Sequence, residues 1–229
     1  AREHGIGVVE DTAQALGSEY HSAKGSKIKA GTIGDIGCTS FFPSKNLGGY
    51  GDGGAMFTNS DELAAKIRRL SNHGQSKRYY HDDIGVNSRL DSIQAAILRI
   101  KLRHLNTYIE ARNAAAAFYD SKFDPIPQLT IPARCSWSNH GFHQYTLKMT
   151  GVDRDGLMGF LQERGIPSNI YYPVPIHRQK AYEDSENQRF ELASTEALCE
   201  IVFSLPMHTE LDQEQLSYIT DSVIEFINQ

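Results

Sequence analysis

Apolar and polar positions alternate in short extended runs over the first third of the chain and repeat with a helical period later. Residues 6–10, 17–20, 36–42 and 54–58 predict strands, the first of them, Ile6-Gly7-Val8-Val9-Glu10, a buried one. Ser60 ahead of Asp61-Glu62-Leu63 predicts a capped helix start. Leu63, Ile67 and Leu70 then share one face until Asn72-His73-Gly74. Residues 75–85 are polar and tyrosine-rich and predict a loop. From Asp91 a helical period runs through Ile93, Ala96, Ile97, Ile100, Leu102, Leu105 and Ile109 and reaches Phe118 without glycine or proline. A helix that long predicts a bend near residues 104–106. Pro125, Pro127 and Pro132 end it. Beyond them the pattern predicts a strand over 143–149, an amphipathic helix over 153–164 closed by Gly165, an extended run over 170–176, and helices over 191–203 and 212–227. The whole reads as α/β: residues 1–110 as part of a large, mainly parallel α/β/α domain, and residues 111–229 as a smaller α+β domain.

The first residues qualify this picture. Ala1-Arg2-Glu3-His4-Gly5 reads as the end of a helix closed by glycine, and a strand follows at once. A strand of a parallel sheet needs neighbours, and none precedes this one. The expectation is therefore a later part of a longer protein, with the missing N-terminal segment either a separate chain or lost.

Composition narrows the partners. The chain has 229 residues, 40% apolar and 22% charged, which fits a folded soluble protein. Its net charge of −5 argues against nucleic acid or an anionic membrane as the main partner. Cys38, Cys135 and Cys199 are odd in number and widely spaced, so neither a metal site nor a disulfide framework is expected. That usage suits a reducing cytoplasm. No apolar run approaches the roughly 18 residues of a spanning helix.

The candidate chemistry centres on Lys45, in Ser40-Phe41-Phe42-Pro43-Ser44-Lys45-Asn46-Leu47-Gly48-Gly49-Tyr50-Gly51-Asp52-Gly53-Gly54. A lysine held in place and partly dehydrated can form a Schiff base with an aldehyde. Asp11 follows a predicted strand at its carboxyl end, where open α/β sheets place ligands, and a carboxylate there can keep a ring nitrogen protonated. Gln14 can cover a flat ring, and the Ser40 hydroxyl can bind a phosphate oxygen. Asn87 and Arg89 precede the long helix, a place that recruits anions, or else Asn87 or Ser88 simply caps it. Each residue alone has an ordinary reading as a cap, a turn residue or a solvated side chain. Together they form the set of partners that pyridoxal 5′-phosphate requires.

Several segments resemble the DegT/StrS family of nucleotide-sugar aminotransferases: Glu10-Asp11-Thr12-Ala13-Gln14-Ala15, Ser40 to Leu47, Gly51-Asp52-Gly53-Gly54-Ala55, Gly85 to Ala96, Tyr171 to Gln179 and Ser204-Leu205-Pro206-Met207-His208. The resemblance implies the aspartate-aminotransferase-like fold type I, with pyridoxal phosphate as cofactor. It implies that Lys45 carries the cofactor, Asp11 pairs with the ring nitrogen, Gln14 contacts the ring and Ser40 binds the phosphate. Asn87 would reach the neighbouring cofactor across a homodimer, Arg89 would lie near the sugar, and Tyr171 and Tyr172 would face the sugar nucleotide. Glutamate is the implied amino donor and a UDP-linked N-acetyl 3-keto sugar or uronate the implied acceptor. A 4-keto sugar is the alternative, since Tyr171 stands where 3-keto members can carry histidine. Lys45 speaks against the dehydratase branch, which carries histidine there. An inactive truncated chain or a non-enzymatic regulator on the same fold are the readings of another class. Family members have a segment ahead of residue 1 that bears a stacking aromatic and a glycine-threonine-alanine phosphate cup.

Overall fold

The computed structural model describes residues 1–183 and 190–229. In chain order the elements are β1 (Val9–Asp11), β2 (Glu19–His21), β3 (Lys27–Lys29), β4 (Ile36–Ser40), β5 (Gly54–Phe57), α1 (Asp61–Ser71), β6 (Gln75–Lys77), β7 (Tyr80–His81), α2 (Ser92–Lys101), α3 (Leu105–Phe123), β8 (Leu129–Thr130), β9 (Ser138–Asn139), β10 (Tyr145–Met149), α4 (Arg154–Glu163), α5 (Ala193–Ile201), β11 (Val202–Leu205) and α6 (Gln213–Ile227). They fall into two units. The first holds Ala1–Glu110 and Arg134–His143, the second Ala111–Ala133 and Gln144–Gln229.

In the first unit, β1 and β4 run parallel with Asp11 opposite Cys38, and β5 pairs antiparallel with β4 so that Ser40 faces Gly54. Thr12 and Thr39 lock the parallel pair at its carboxyl end. The Thr12 hydroxyl donates to the Cys38 carbonyl at 2.9 Å, and the Thr39 hydroxyl donates to the Thr12 carbonyl at 3.1 Å. Both threonines are buried, so these bonds satisfy groups that are otherwise costly to desolvate. A cluster of Phe41, Leu47, Leu98, Leu105 and Ile109 packs beneath the β4 end. A second sheet joins β3, β2 and β9.

The second unit is built around β8, β10 and β11, with β10 central. Its interior is dense. Tyr119, Phe123, Tyr145, Leu147, Leu157, Leu161, Phe203 and Val223 are fully buried. The Tyr119 and Tyr145 rings lie 4.9 Å apart, and each hydroxyl is satisfied, Tyr119 donating to the Pro206 carbonyl and Tyr145 to Asp120 Oδ1. Side chains of this size each contribute about 1.5–3 kcal/mol on burial.

The structure corrects several expectations. Residues 6–8 are not strand, and the predicted buried run is largely exposed, Ile6 at 62% and Val9 at 67%. The physical reason is that β1 is an edge strand, bordered among the described residues by β4 alone. The expected loop over 75–85 contains the hairpin β6–β7, turned at Tyr79, which takes a positive φ of 69°. The long helix divides into α2 and α3 at a 3-10 turn over Leu102–His104 and continues to Phe123. The helix expected over 191–203 stops at Ile201, because Val202 and Phe203 pair with Lys148 and Leu147 as β11. α2 is capped by Asp91, not by Asn87 or Ser88: its carboxylate accepts from the Ile93 and Gln94 amides. The cap at Ser60 and the left-handed closure at Gly165 agree with the sequence, and Asp212, expected as the first residue of its helix, is the residue that caps it. Among the described residues no helix is long and apolar enough to cross a membrane.

Candidate functional site

Asp11 ends β1 and Ser40 ends β4, so a carboxylate and a hydroxyl stand at the carboxyl ends of adjacent parallel strands. Asp11 Oδ1 accepts from the Ala13 amide at 2.9 Å, and Oδ2 has no hydrogen-bond partner among the described residues. Ser40 Oγ accepts from the Phe42 amide at 3.2 Å, which leaves its O–H free to donate. Lys45 lies in the turn after β4. Its amide donates to the Phe42 carbonyl, the residue is half-buried, and among the described residues its amine makes no hydrogen bond or ion pair. Gln14 is exposed in the turn after Asp11. The structure therefore gathers Asp11, Ser40 and the Lys45 loop at one end of one sheet, without hydrogen bonds among their side chains.

Neighbouring residues hold this end in place. Glu10 turns back from the strand, and its carboxylate accepts from the amides of Gly31 at 2.9 Å and of Ile33 and Gly34 at 2.6 Å each. Burial pushes the Glu10 carboxyl up, but the amides of Gly34, Gly31 and Ile33 outweigh it and hold the group below the usual carboxylate range. Next to Lys45, buried Asn46 donates to the Gly141 carbonyl at 3.0 Å, and Leu47 is buried in the cluster below. The glycine run after Leu47 is gripped from α2. The Tyr50 amide donates to Gln94 Oε1 at 2.7 Å, and Lys101 Nζ donates to the Gly48 carbonyl. A Cβ at Gly49 would stand 2.9 Å from Gln94 Oε1, so a side chain there would push the glutamine from its present seat.

Asn87 and Arg89 lie together, Arg89 Nε donating to Asn87 Oδ1 at 2.8 Å, and both are exposed. Their loop is tied to the end of α1 by amide bonds from Val86 to Leu70 and from Ser88 to Ser71. Gly74 makes the close approach possible: it holds a φ of 71°, and a Cβ there would fall 1.7 Å from the Asp83 carbonyl oxygen. Tyr171 and Tyr172 lie in the second unit, 38% and 62% exposed, with their rings 5.6 Å apart. Their segment is bound upstream by the Asn169–Ser204 bridge. Downstream, buried His177 lies with Nε2 2.8 Å from Glu196 Oε1, which also accepts from Arg178 Nε at 3.1 Å. These two donors, His177 first, hold the Glu196 carboxyl below its ordinary value.

Glu10, Asn46, Gln94, Lys101 and the His177–Glu196 pair carry no signal of their own in the sequence. Their hydrogen bonds span from 19 to 95 positions, and only the fold brings the partners together. The one available hint was the glycine spacing after Lys45, which marks a backbone approached closely by something else.

The model of the DegT/DnrJ/EryC1/StrS aminotransferase family matches residues 1–224, and the chain belongs to that family. It is 41% identical to a pleiotropic regulatory protein of Geobacillus stearothermophilus, covering 99% of this chain and 59% of that protein. It is 43% identical to the UDP-N-acetyl-3-dehydro-alpha-D-glucosamine 3-aminotransferase of Acidithiobacillus ferrooxidans (96% of this chain, 57% of the relative). It is 40% identical to the UDP-2-acetamido-2-deoxy-3-oxo-D-glucuronate aminotransferase of Pseudomonas aeruginosa (96% and 58%). The chain thus spans between 57% and 59% of the length of these curated relatives. Among solved structures, S. venezuelae DesV in complex with a ketimine intermediate superposes with a TM-score of 0.91 at 38% identity, covering 100% of this chain and 60% of that one. NtdA of Bacillus subtilis with bound cofactor PMP gives 0.86 at 26% identity (100% and 52%).

Proposed function

We propose that the full-length protein carrying this chain transfers an amino group from an amino acid, by family analogy glutamate, to the ketone of a nucleotide-linked sugar. The observation that carries this reading is an Asp11 carboxylate oxygen and a Ser40 O–H at adjacent parallel strand ends, with the Lys45 amine in the turn after them, all three unpartnered among the described residues. That donor set fits pyridoxal phosphate: an acid for the ring nitrogen, a donor for the phosphate and an amine for the aldehyde. When bound, the cofactor supplies an electron sink that acidifies the α C–H of an amino acid.

The chain's own residues then have distinct tasks. Asp11 keeps the ring nitrogen protonated through its free carboxylate oxygen. Ser40 would donate to a phosphate oxygen, and Gln14 would contact the ring. Lys45 would hold the cofactor through its amine, and that amine is the group available to move a proton to and from the donor α-carbon as general acid and base. Asn87 completes the phosphate site of a second subunit in a homodimer, while Arg89, Tyr171 and Tyr172 recognise the sugar nucleotide. The names of the Acidithiobacillus and Pseudomonas relatives support a UDP-linked N-acetyl 3-keto sugar or uronate as acceptor, with Arg89 as partner for a sugar carboxylate. The reaction belongs to amino-sugar synthesis in the cytoplasm.

Lys45→Ala in the full-length protein should abolish transamination and the visible absorbance of lysine-held pyridoxal phosphate. Normal turnover by that variant would refute the assignment. A panel of UDP- and dTDP-linked 3-keto and 4-keto sugars tests the acceptor, and amination of 4-keto sugars alone would overturn the 3-keto choice.

A further inference from the structure

We infer that the His177–Glu196 pair is a positioning device that anchors the segment bearing Tyr171 and Tyr172 and thereby sets affinity for the sugar nucleotide, the inference resting on the proposed role of those two tyrosines. Residues 170–175 have no regular structure, and they and the next residue present apolar side chains to solvent: Tyr171, Tyr172, Val174 at 40% exposure and Ile176 at 73%. Apolar side chains left exposed on an irregular stretch do not hold it in place by packing. Its restraints are at its ends. Upstream, Asn169 exchanges two backbone hydrogen bonds with Ser204 on β11. Downstream, a 3-10 turn over Ile176–Arg178 carries His177 inward to 7% exposure.

There the imidazole Nε2 meets Glu196 Oε1 at 2.8 Å. Glu196 stands in the first turn of α5, where a carboxylate also complements the helix dipole. Arg178 reaches the same oxygen from Nε at 3.1 Å and from Nη2 at 3.0 Å. One carboxylate on a rigid element therefore takes the charge-assisted bonds of two successive residues of the turn. A further tie to the segment is weaker in kind, a neutral bond from Gln179 Nε2 to the Val174 carbonyl at 3.2 Å. Loss of the His177–Glu196 bond leaves the downstream end held to Glu196 by the part-exposed Arg178 alone, and a misplaced recognition segment weakens binding before it touches the chemistry at Lys45.

The experiment uses the full-length protein loaded with pyridoxal phosphate. His177→Leu and Glu196→Ala remove the bond, whereas His177→Gln keeps a donor near the position of Nε2. Glu196 is part-exposed, so Glu196→Ala is expected to fold even if His177→Leu does not. The expected result is a rise of about tenfold in KM for the sugar nucleotide, with kcat within about twofold, in His177→Leu and Glu196→Ala, a scale set by the sensitivity of binding to small misplacements. Amide hydrogen exchange over residues 170–176 should quicken in the same two variants, and the amino-donor half-reaction should keep its wild-type rate. His177→Gln should recover most of both effects. An unchanged KM alongside faster exchange overturns the link to substrate, and unchanged exchange overturns the anchor itself. A wild-type protein that fails to aminate any sugar nucleotide would instead sink the functional reading, while the exchange measurement still decides whether the pair anchors the segment.

Discussion

The two units solve different problems with different materials. In the second, large apolar side chains such as Tyr119, Phe123, Leu147 and Phe203 are fully buried, and the hydrogen bonds of Tyr119 and Tyr145 lie inside an apolar interior. In the first, Asp11, Gln14, Asn87 and Arg89 are exposed and Lys45 is half-buried. Their positions depend on backbone amides, carboxylates and glycines: Glu10 on three amides, Gln94 on the Tyr50 amide, Thr12 and Thr39 across the strand ends. The contrast teaches that the candidate site is set by directional polar bonds and the second unit by packing. Damage to the two should separate into lost function with intact stability, and lost stability.

The largest separation is expected at Lys45. Its side chain makes no hydrogen bond or ion pair among the described residues, so Lys45→Ala should leave thermal stability within about 0.5 kcal/mol of wild type. Transamination should nevertheless be lost. Calorimetry beside a turnover assay checks both halves, and a strongly destabilised Lys45→Ala protein would erase the contrast.

How legible these regions were differs in the same way. The proposed carriers of chemistry, Asp11, Ser40 and Lys45, are named from the sequence because each is a residue type whose chemistry depends on what it is. The residues that hold them could not be named this way. Gln94 reads as an ordinary polar position on a helix, and its partner Tyr50 lies 44 positions away. Local signals were legible where one residue suffices, as at Ser60 and Gly165. They failed where two local signals compete. Asn87, Ser88 and Asp91 are all good caps, and the structure uses Asp91. Val202 and Phe203 continue an apolar helical pattern, but strand pairing with β10 outweighs it. Ile6 to Glu10 reads as buried from composition alone, yet burial depends on what flanks β1.

Phe203 tests the packed side of the comparison. It is fully buried on β11 opposite Leu147, so Phe203→Ala should cost about 3–5 kcal/mol by lost transfer energy and an unfilled cavity. Denaturant unfolding measures this. A cost below about 1 kcal/mol would show that the second unit repacks freely and that the contrast is overstated.

Glu10 tests the polar side. Glu10→Gln keeps size but turns an NH2 group toward amides that need an acceptor, at a cost of about 1 kcal/mol near neutral pH. The sign with pH comes from the lowered carboxyl value in the folded state. Stability from Glu10 is fully present above the unfolded value of about 4.3 and is lost as pH falls through the folded value. The gap between wild type and Glu10→Gln should therefore close in acid, and a gap that stays constant below pH ~4 would mean that packing, not the carboxylate, matters there.

The smallest effects sharpen the comparison most directly, because the same device occurs in both units. Ser60 caps α1, its hydroxyl accepting from the Leu63 amide at 3.3 Å, and Asp212 caps α6 through a full capping box with Gln215. Replacing either by alanine removes about 1 kcal/mol of local helix stability. The global consequences should differ. α1 contains no buried residue, so Ser60→Ala should fray its first turn and leave the global transition nearly unmoved. α6 buries Leu216, Ile219, Thr220, Ser222 and Val223, so loosening its start pulls on the core, and Asp212→Ala should lower the global unfolding free energy by nearly the whole local cost. Hydrogen exchange read residue by residue, beside denaturant unfolding, distinguishes the two. Equal global losses from both substitutions would mean that α1 is bound into the first unit as firmly as α6 is into the second, and the division between directional bonds and packing would then not extend to the helices.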